Sequence, residues 1–432
     1  MIAEKGITIK IDDVYFYGNQ LENVKLNQET NPLSTELPIS TCDFTIIQNE
    51  DVTSLFTAKK RFDVYFDGKL KAIMFVTDLK RTSVNKWAVQ GEDYISFLED
   101  TMFSSRIFEE DTLEYIISKF FPSNVPFLIA ESLKSKPISG KLEATTCRDA
   151  LMQMCFAIGG VVKTSNFKTD IFEGIEIAEY SIPLSKEIST NRVLENTTIK
   201  SDAVINSVSI AVLDSYTLGE LQRVPNAPSI TYPEEGTILD VELEEPYGGY
   251  EIRRKDSEGW VPAGSGYEFL IRSAYRVKVK FSKNAQRTYR LFGCPITGVN
   301  LSTSRRFNEN IPNSYIKIKD IDITETKLIT ENNVDEVLNR IFNDLIKTDE
   351  LQCKITEGKH VTEGARYKYG EAKYGAIKYG ERKPSIIEYD TPINLGDILE
   401  FELNGYGTQR RRLVKQTYSL SGSAIVKDCV LK

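Results

Sequence analysis

A single histidine, His360, stands in 432 residues. Imidazole chemistry would have to run through it, and a Ser-His-Asp triad has no other base to draw on. His360 sits in EGKHVTEG, a polar, turn-like stretch with no apolar shell to tune its pKa, so the expectation is a solvent-facing loop residue. Cysteine is also sparse: Cys42, Cys147, Cys155, Cys294, Cys353 and Cys429 are scattered without CxxC spacing, which excludes a zinc-finger pattern or a dense disulfide framework. They read as reduced thiols. No apolar run reaches membrane-spanning length, and the opening MIAEKGITIKIDD has no apolar signal core, so neither membrane insertion nor a secretory leader is expected. Glycine-rich phosphate loops, dinucleotide fingerprints and nucleophile elbows are missing too. Gly159-Gly160 follows a helix, the wrong place for a phosphate loop. A surplus of basic residues is lacking as well. A net charge of -8 argues against a general nucleic-acid binder, which needs lysine and arginine to neutralise phosphates.

The clearest positive signal is Phe62 to Asp100, FDVYFDGKLKAIMFVTDLKRTSVNKWAVQGEDYISFLED. Phe62, Val64 and Phe66 alternate up to Asp67-Gly68, a pair at ease with positive φ, which predicts a two-residue hairpin. The chain continues as a long strand, breaks at Asn85-Lys86, and returns as WAVQ. Asp93 then opens a helix with Tyr94, Phe97 and Leu98 on one face. Together with the strands ITIKI, VYFYG and CDFTII, this predicts a first domain over 1–105, a small barrel plugged by that helix.

From Glu110 the period changes. Leu113, Ile116, Ile117, Phe120 and Phe121 are spaced for a helix, with Asp111 as N-cap and Pro122 as stop. A second helix follows Thr146, with Asp149 completing a short capping-box analogue, Leu151, Met154 and Ile158 inward, and Gly159-Gly160 at its end. A small α+β domain over 106–190 results. Strand character returns in 197–213. The proline-punctuated LQRVPNAPSITYPEEG then opens an inserted all-β module over 214–298, with RVKVKFS as an alternating strand. The strongest helical period runs through Val334, Val337, Leu338, Ile341, Phe342, Leu345 and Ile346, predicting a helix over 333–347 with Glu336 in a capping-box position. The fold class expected is mainly β with α+β elements and several domains. Residues 191–213 and 299–432 are assigned to a discontinuous second barrel-like domain.

Two acidic groups invite a test for hydrolysis, Glu109-Glu110-Asp111 and Glu234-Glu235, since glycoside cleavage needs two carboxyls about a bond. Helix capping accounts for the first and a solvated turn for the second, so no catalytic residue is assigned. No metal and no cofactor is expected. The oddest local sequence is YKYGEAKYGAIKYGERK, where Lys-Tyr-Gly recurs with a period of five, matching neither strand nor helix. Lys368, Tyr369, Lys373, Tyr374, Lys378 and Tyr379 form the candidate assembly interface, a looped arm in which tyrosines offer rigid contact area and lysines charge. Single-strand nucleic-acid stacking is the alternative. Arg410, Arg411 and Arg412 read as a solvated hairpin end or a salt-bridged contact rather than a phosphate site.

The 62–100 segment resembles the first barrel of baseplate hub proteins in contractile phage tails, phage-tail-like bacteriocins (tailocins) and type VI secretion spikes. TTCRDALMQMCFAIGGVVKTSNFKTDIFEGIEI is similar to the helix-then-hairpin segment of hubs from phages of Gram-positive bacteria. NLGDILEFELNGYGTQRRRLVKQTYSLSGSAIVKDCVLK resembles the family's closing strands. The three segments span about 110 residues, roughly a quarter of the chain. The resemblance implies two barrel-like hub domains per subunit and a structural homotrimer, not an enzyme, joining a hexameric tail tube to a trimeric spike, with baseplate wedge proteins as further partners. It implies no specific nucleic acid and places the chain in a virion or tailocin particle assembled in the bacterial cytoplasm, with any export occurring inside that particle. A tail-associated cell-wall-degrading enzyme, or the hub of a long flexible tail, are the alternatives; no peptidase, lysozyme or glycan-binding segment is expected after Lys432.

Overall fold

The computed structural model describes residues 6–30, 36–164, 173–181, 185–188, 193, 197–201, 203–309, 311, 318–345, 349–356, 358–366, 382–389, 393–403, 407–421 and 424–432. Asp67 and Gly68 both take positive φ, 46° and 75°, and join strands Arg61–Phe66 and Lys69–Ser83 in an antiparallel hairpin. Period-two alternation gives each strand of this block one dry face. Cys42, Phe44 and Ile46 of strand Thr41–Ile47 point inward, where Phe44 meets Phe62 edge-on with ring centroids 5.3 Å apart. Burying such a ring is worth about 1.5–3 kcal/mol.

Two barrel-like domains are expected from the sequence, and among the described residues no closed barrel forms. Strands of both ends of the chain form one 13-stranded sheet, and no sheet among the described residues closes on itself. The seam lies between Leu21–Glu29 and Gly407–Ser421, in register from Lys25↔Ser419 to Glu29↔Lys415. Its side chains interlock: Gln416 Nε2 donates to Gln28 Oε1 at 2.9 Å, Thr417 Oγ1 to Asn27 Oδ1 at 3.0 Å, and Tyr418 lies 4.8 Å from the Phe66 ring. Alternation tells which face of a strand is dry, not which strand lies beside it. The sheet nevertheless covers two cores, one around Ile9, Phe44, Phe62 and Tyr418 and one around Leu351, Phe401, Leu413 and Leu431.

The predicted plug helix is a single turn, Ser96–Glu99, and it leaves the first core rather than filling it. Ile95 and Leu98 are buried with the helices of the central α+β unit. Asp93 holds the exit: buried, it accepts N–H bonds from Ser40 and Ile95, both at 3.0 Å.

Helix Leu113–Phe120 is capped by Thr112, whose Oγ1 accepts from Tyr115 N–H at 3.3 Å, and not by Asp111. Asp111 lies in strand Arg106–Thr112, which bulges opposite Ile138 and Ser139. Helix Cys147–Ile158 is capped by Thr146 and ends on left-handed Gly159 at φ 80°. Helix Val334–Leu345 follows the expected period, but Val337, Leu338 and Ile341 join this same central core, as do Ile205, Val208 and Ile210. Both segments fall in the ranges assigned above to a discontinuous second barrel-like domain; sequence spacing shows that a helix has an apolar face without showing what covers it. The Glu336 carboxylate reaches Arg340 at 2.9 Å and Lys136 at 3.2 Å.

From the central unit two long strands, Val204–Leu218 and Thr288–Phe307, run out as an antiparallel pair. They enter a β sandwich built from a seven-stranded and a three-stranded sheet. Its core, including Val224, Leu239, Ile252, Val277, Val279, Phe281 and Leu291, is its own.

Candidate assembly surfaces

The Lys-Tyr-Gly repeat, with Lys368, Tyr369, Lys373, Tyr374, Lys378 and Tyr379, lies outside the described residues. On either side of it, strands Gly358–Arg366 and Arg382–Tyr389 pair antiparallel from Gly358↔Tyr389 to Arg366↔Arg382. The repeat therefore connects the two arms of a hairpin. His360 is in the first arm, opposite Ile387, and so is a strand residue rather than the loop residue expected. A polar alternating stretch pairs as well as an apolar one once a partner strand supplies the ladder.

Arg410, Arg411 and Arg412 enter strand Gly407–Ser421 opposite Glu400, Leu399 and Ile398. Alternation separates them: the Arg412 guanidinium lies 5.6 Å from the Tyr180 ring, while Arg411 Nε donates to Gln409 Oε1 at 3.1 Å. They do not converge on one point.

Strand edges are where this fold can be extended. Val14–Tyr17 and Thr198–Ser201 bound the path of the large sheet, and Gly259–Pro262 and Ile318–Ile323 bound that of the seven-stranded one. Val14, Tyr17 and Ile318 are exposed on these edges. Such edges present unpaired backbone groups that another chain can complete.

The acidic groups are not a hydrolytic pair. Glu234 and Glu235 are exposed on a turn, with Glu235 N–H donating to Asn284 Oδ1 at 2.7 Å. Glu109, expected near a helix cap, instead ties the central unit to the sandwich: its carboxylate accepts Ala274 N–H at 2.6 Å. Beside it the Tyr275 hydroxyl accepts Ile107 N–H at 3.2 Å, and the Arg106 guanidinium lies between the Phe120 and Tyr275 rings at 4.4 and 4.3 Å. Glu109 as a residue is exposed, but its carboxylate is covered by the 273–275 turn. That covering raises its pKa, with Ala274 N–H opposing and Asp111 adding to the rise. Burial, then the Glu109 charge, pushes Tyr216 up to about 12. Nothing in the sequence marked this contact, because its partners lie in segments that read as separate domains.

No disulfide joins the six cysteines, and five of them are buried. Burial raises Cys147 to about 11 and, with Asp428 adding, Cys353 to about 12. Among the described residues no group of His, Cys, Asp and Glu is arranged to hold a metal ion, and no helix is long and apolar enough to cross a membrane.

No protein-family model matches the chain, and no curated protein matches it in sequence. Solved structures do match it. The 43 kDa tail protein of prophage MuSo2 from Shewanella oneidensis superposes with a TM-score of 0.53 at 11% identity, over 99% of this chain and 98% of that one. The tail protein from Neisseria meningitidis MC58 gives 0.52 at 10% identity, over 99% and 96%. Prophage tail protein gp18 from Listeria monocytogenes EGD-e gives 0.47 at 10%, over 98% and 94%. At these identities the likeness is one of fold, and it runs the full length of the chain.

Proposed function

We propose that this chain is the structural hub subunit of a contractile phage tail or phage-tail-like bacteriocin, a homotrimer that joins the hexameric tail tube to the trimeric spike within the baseplate. The observation that carries the reading is the full-length fold shared with the Shewanella and Neisseria tail proteins. The single sheet over two cores supports it. Each subunit brings two strand-rich blocks joined by one sheet, so a three-fold ring of subunits would offer a six-fold-like set of blocks to a hexameric tube and a three-fold axis to a spike. Symmetry matching is then the mechanism, and no bond is made or broken. The particle, assembled in the cytoplasm of a bacterium, is the place of work, with wedge proteins as outer neighbours. Copy number in the purified particle, read from a reconstruction with this chain located, tests it. Three copies per tail are expected; six, or one, overturn the symmetry argument.

The Lys-Tyr-Gly connection is the assembly contact in this reading. Changing Tyr369, Tyr374 and Tyr379 together to serine should leave the melting of the isolated subunit unchanged and block ring or tail assembly. Normal assembly with loss of a salt-sensitive single-strand DNA affinity would favour nucleic-acid stacking instead.

A further inference from the structure

The outward face of the sandwich's larger sheet carries a row of guanidinium groups and aromatic rings. Pairing between Tyr247–Asp256, Gly259–Pro262 and Thr288–Phe307 sets Lys255 opposite Trp260, Arg253 opposite Arg290, and Glu251 opposite Phe292. Arg223 pairs with Phe292 from the other side. Because side chains alternate along a strand, these residues share one face, and Ile252 and Leu291 between them go to the core. The Arg253 guanidinium lies 5.2 Å from the Phe292 ring, Phe292 lies 6.0 Å from Trp260, and Trp260 lies 5.0 Å from the Arg290 guanidinium. Arg253 Nε donates to Glu251 at 2.8 Å, and Arg290 Nε donates to Ser229 Oγ. Rings and hydrogen bonds thus fix both arginines before any ligand arrives.

Among these paired positions Glu251 is the single carboxylate, against Arg223, Arg253, Lys255 and Arg290. The chain as a whole carries a net charge of -8, so an acidic partner is repelled by the average surface and attracted here. A guanidinium held beside a ring loses little mobility on binding and keeps its N–H edges for bidentate acceptors. Backbone N–H groups of a sheet lie in its plane rather than on its face, so this face offers side chains and no amide nest for a phosphate. Arginine with tryptophan and phenylalanine is instead the composition that dominates protein–protein contact energies.

We propose that this face docks an acidic segment of a partner protein, whose carboxylates pair with Arg253 and Arg290 while its aliphatic stems lie over Trp260 and Phe292. The inference stands on the sandwich alone and does not depend on the role in a tail.

Fluorescence anisotropy of the full-length protein with a fluorescein-labelled oligo-glutamate peptide tests it. Saturable binding that weakens with salt is expected. Arg253→Gln with Arg290→Gln should weaken it at least about tenfold. Trp260→Ala keeps every charge and should still weaken binding, because Arg290 loses its ring; Glu251→Gln should tighten it. Arg276→Gln, on the three-stranded sheet, should change nothing. Circular dichroism melts establish that each variant is folded, and the Glu251→Gln arm remains decisive if a ring variant is not. Absence of saturable binding, indifference to the double arginine change, or no gain in Glu251→Gln overturns the proposal. So does inorganic polyphosphate binding more tightly than oligo-glutamate through the same arginines, which would make the face a phosphate-polymer site.

Discussion

The Glu109 carboxylate accepts the backbone N–H of Ala274, 165 positions further along the chain, at 2.6 Å, and this contact pins the sandwich turn to the central unit. Its surroundings are Asp111, Tyr216, Tyr250, Tyr275 and, through Tyr275, Arg106. Since the folded pKa of Glu109 lies above the unfolded value, this residue favours the folded state most fully at low pH, and the benefit is lost as pH rises through the folded pKa. Glu109→Gln removes that dependence. Urea midpoints of both proteins at about pH 4 and pH 7 should show the variant gaining on the wild type at the higher pH; an unchanged difference would mean that Glu109 titrates as in the unfolded chain.

The seam between the two ends of the chain should be a single cooperative element. Tyr418 is 2% exposed and packs on Phe66, with Lys427 and Lys71 ammonium groups 4.9 and 5.5 Å from its ring. Tyr418→Ala should cost about 3–5 kcal/mol and lower one shared transition rather than splitting off the C-terminal strands. Two separated transitions in the wild type would contradict this.

Gly140 has φ +127°, and a Cβ there would stand 2.3 Å from the Lys327 carbonyl oxygen. Backbone cannot yield as a flexible side chain can. Gly140→Ala should destabilise by about 2–5 kcal/mol, combining unfavourable φ with overpacking, as read from denaturant unfolding. A change within about 0.5 kcal/mol would mean that the 137–142 strand shifts freely.

Alkylation should separate the thiols. Cys294 is the one that is half-exposed; the other five are buried. Iodoacetamide on the native protein is expected to modify Cys294 first, with the remainder reacting only in denaturant. Rapid native labelling of Cys42 or Cys155 would show that their cores open.

Leu218 pairs with Ile296 at the mouth of the sandwich. Replacing the residues between them by an Asn-Gly turn should leave a soluble protein with cooperative melting, since the excised part has its own core. Aggregation or a broad transition would place the sandwich within the folding unit of the rest.

Local signals in the sequence translated directly into structure where a few neighbouring residues decide the outcome. The Asp67-Gly68 turn, the Thr146 cap and the left-handed Gly159 are of this kind. The Thr112 cap was missed by one position because Asp111 is as good a cap chemically, and a strand bulge decided between them. Long-range choices were not legible. The pairing of Leu26 with Tyr418, the burial of Leu98 beside the central helices, and the Glu109–Ala274 contact all depend on which apolar faces meet. The Arg253–Phe292–Trp260–Arg290 row could have been found from the alternation of arginine and ring positions, but only with the strand register in hand.

The seam also sets a timetable for synthesis. Strand Leu21–Glu29 emerges from the ribosome early, yet one of its two edges is completed by Gly407–Ser421, which is made hundreds of residues later. Until then the first block holds an unpaired strand edge next to a nearly finished core, a state prone to pairing with the wrong chain. A nascent product halted before residue 407 cannot complete that sheet, so the fold itself distinguishes finished from unfinished chains before any of them meets a partner.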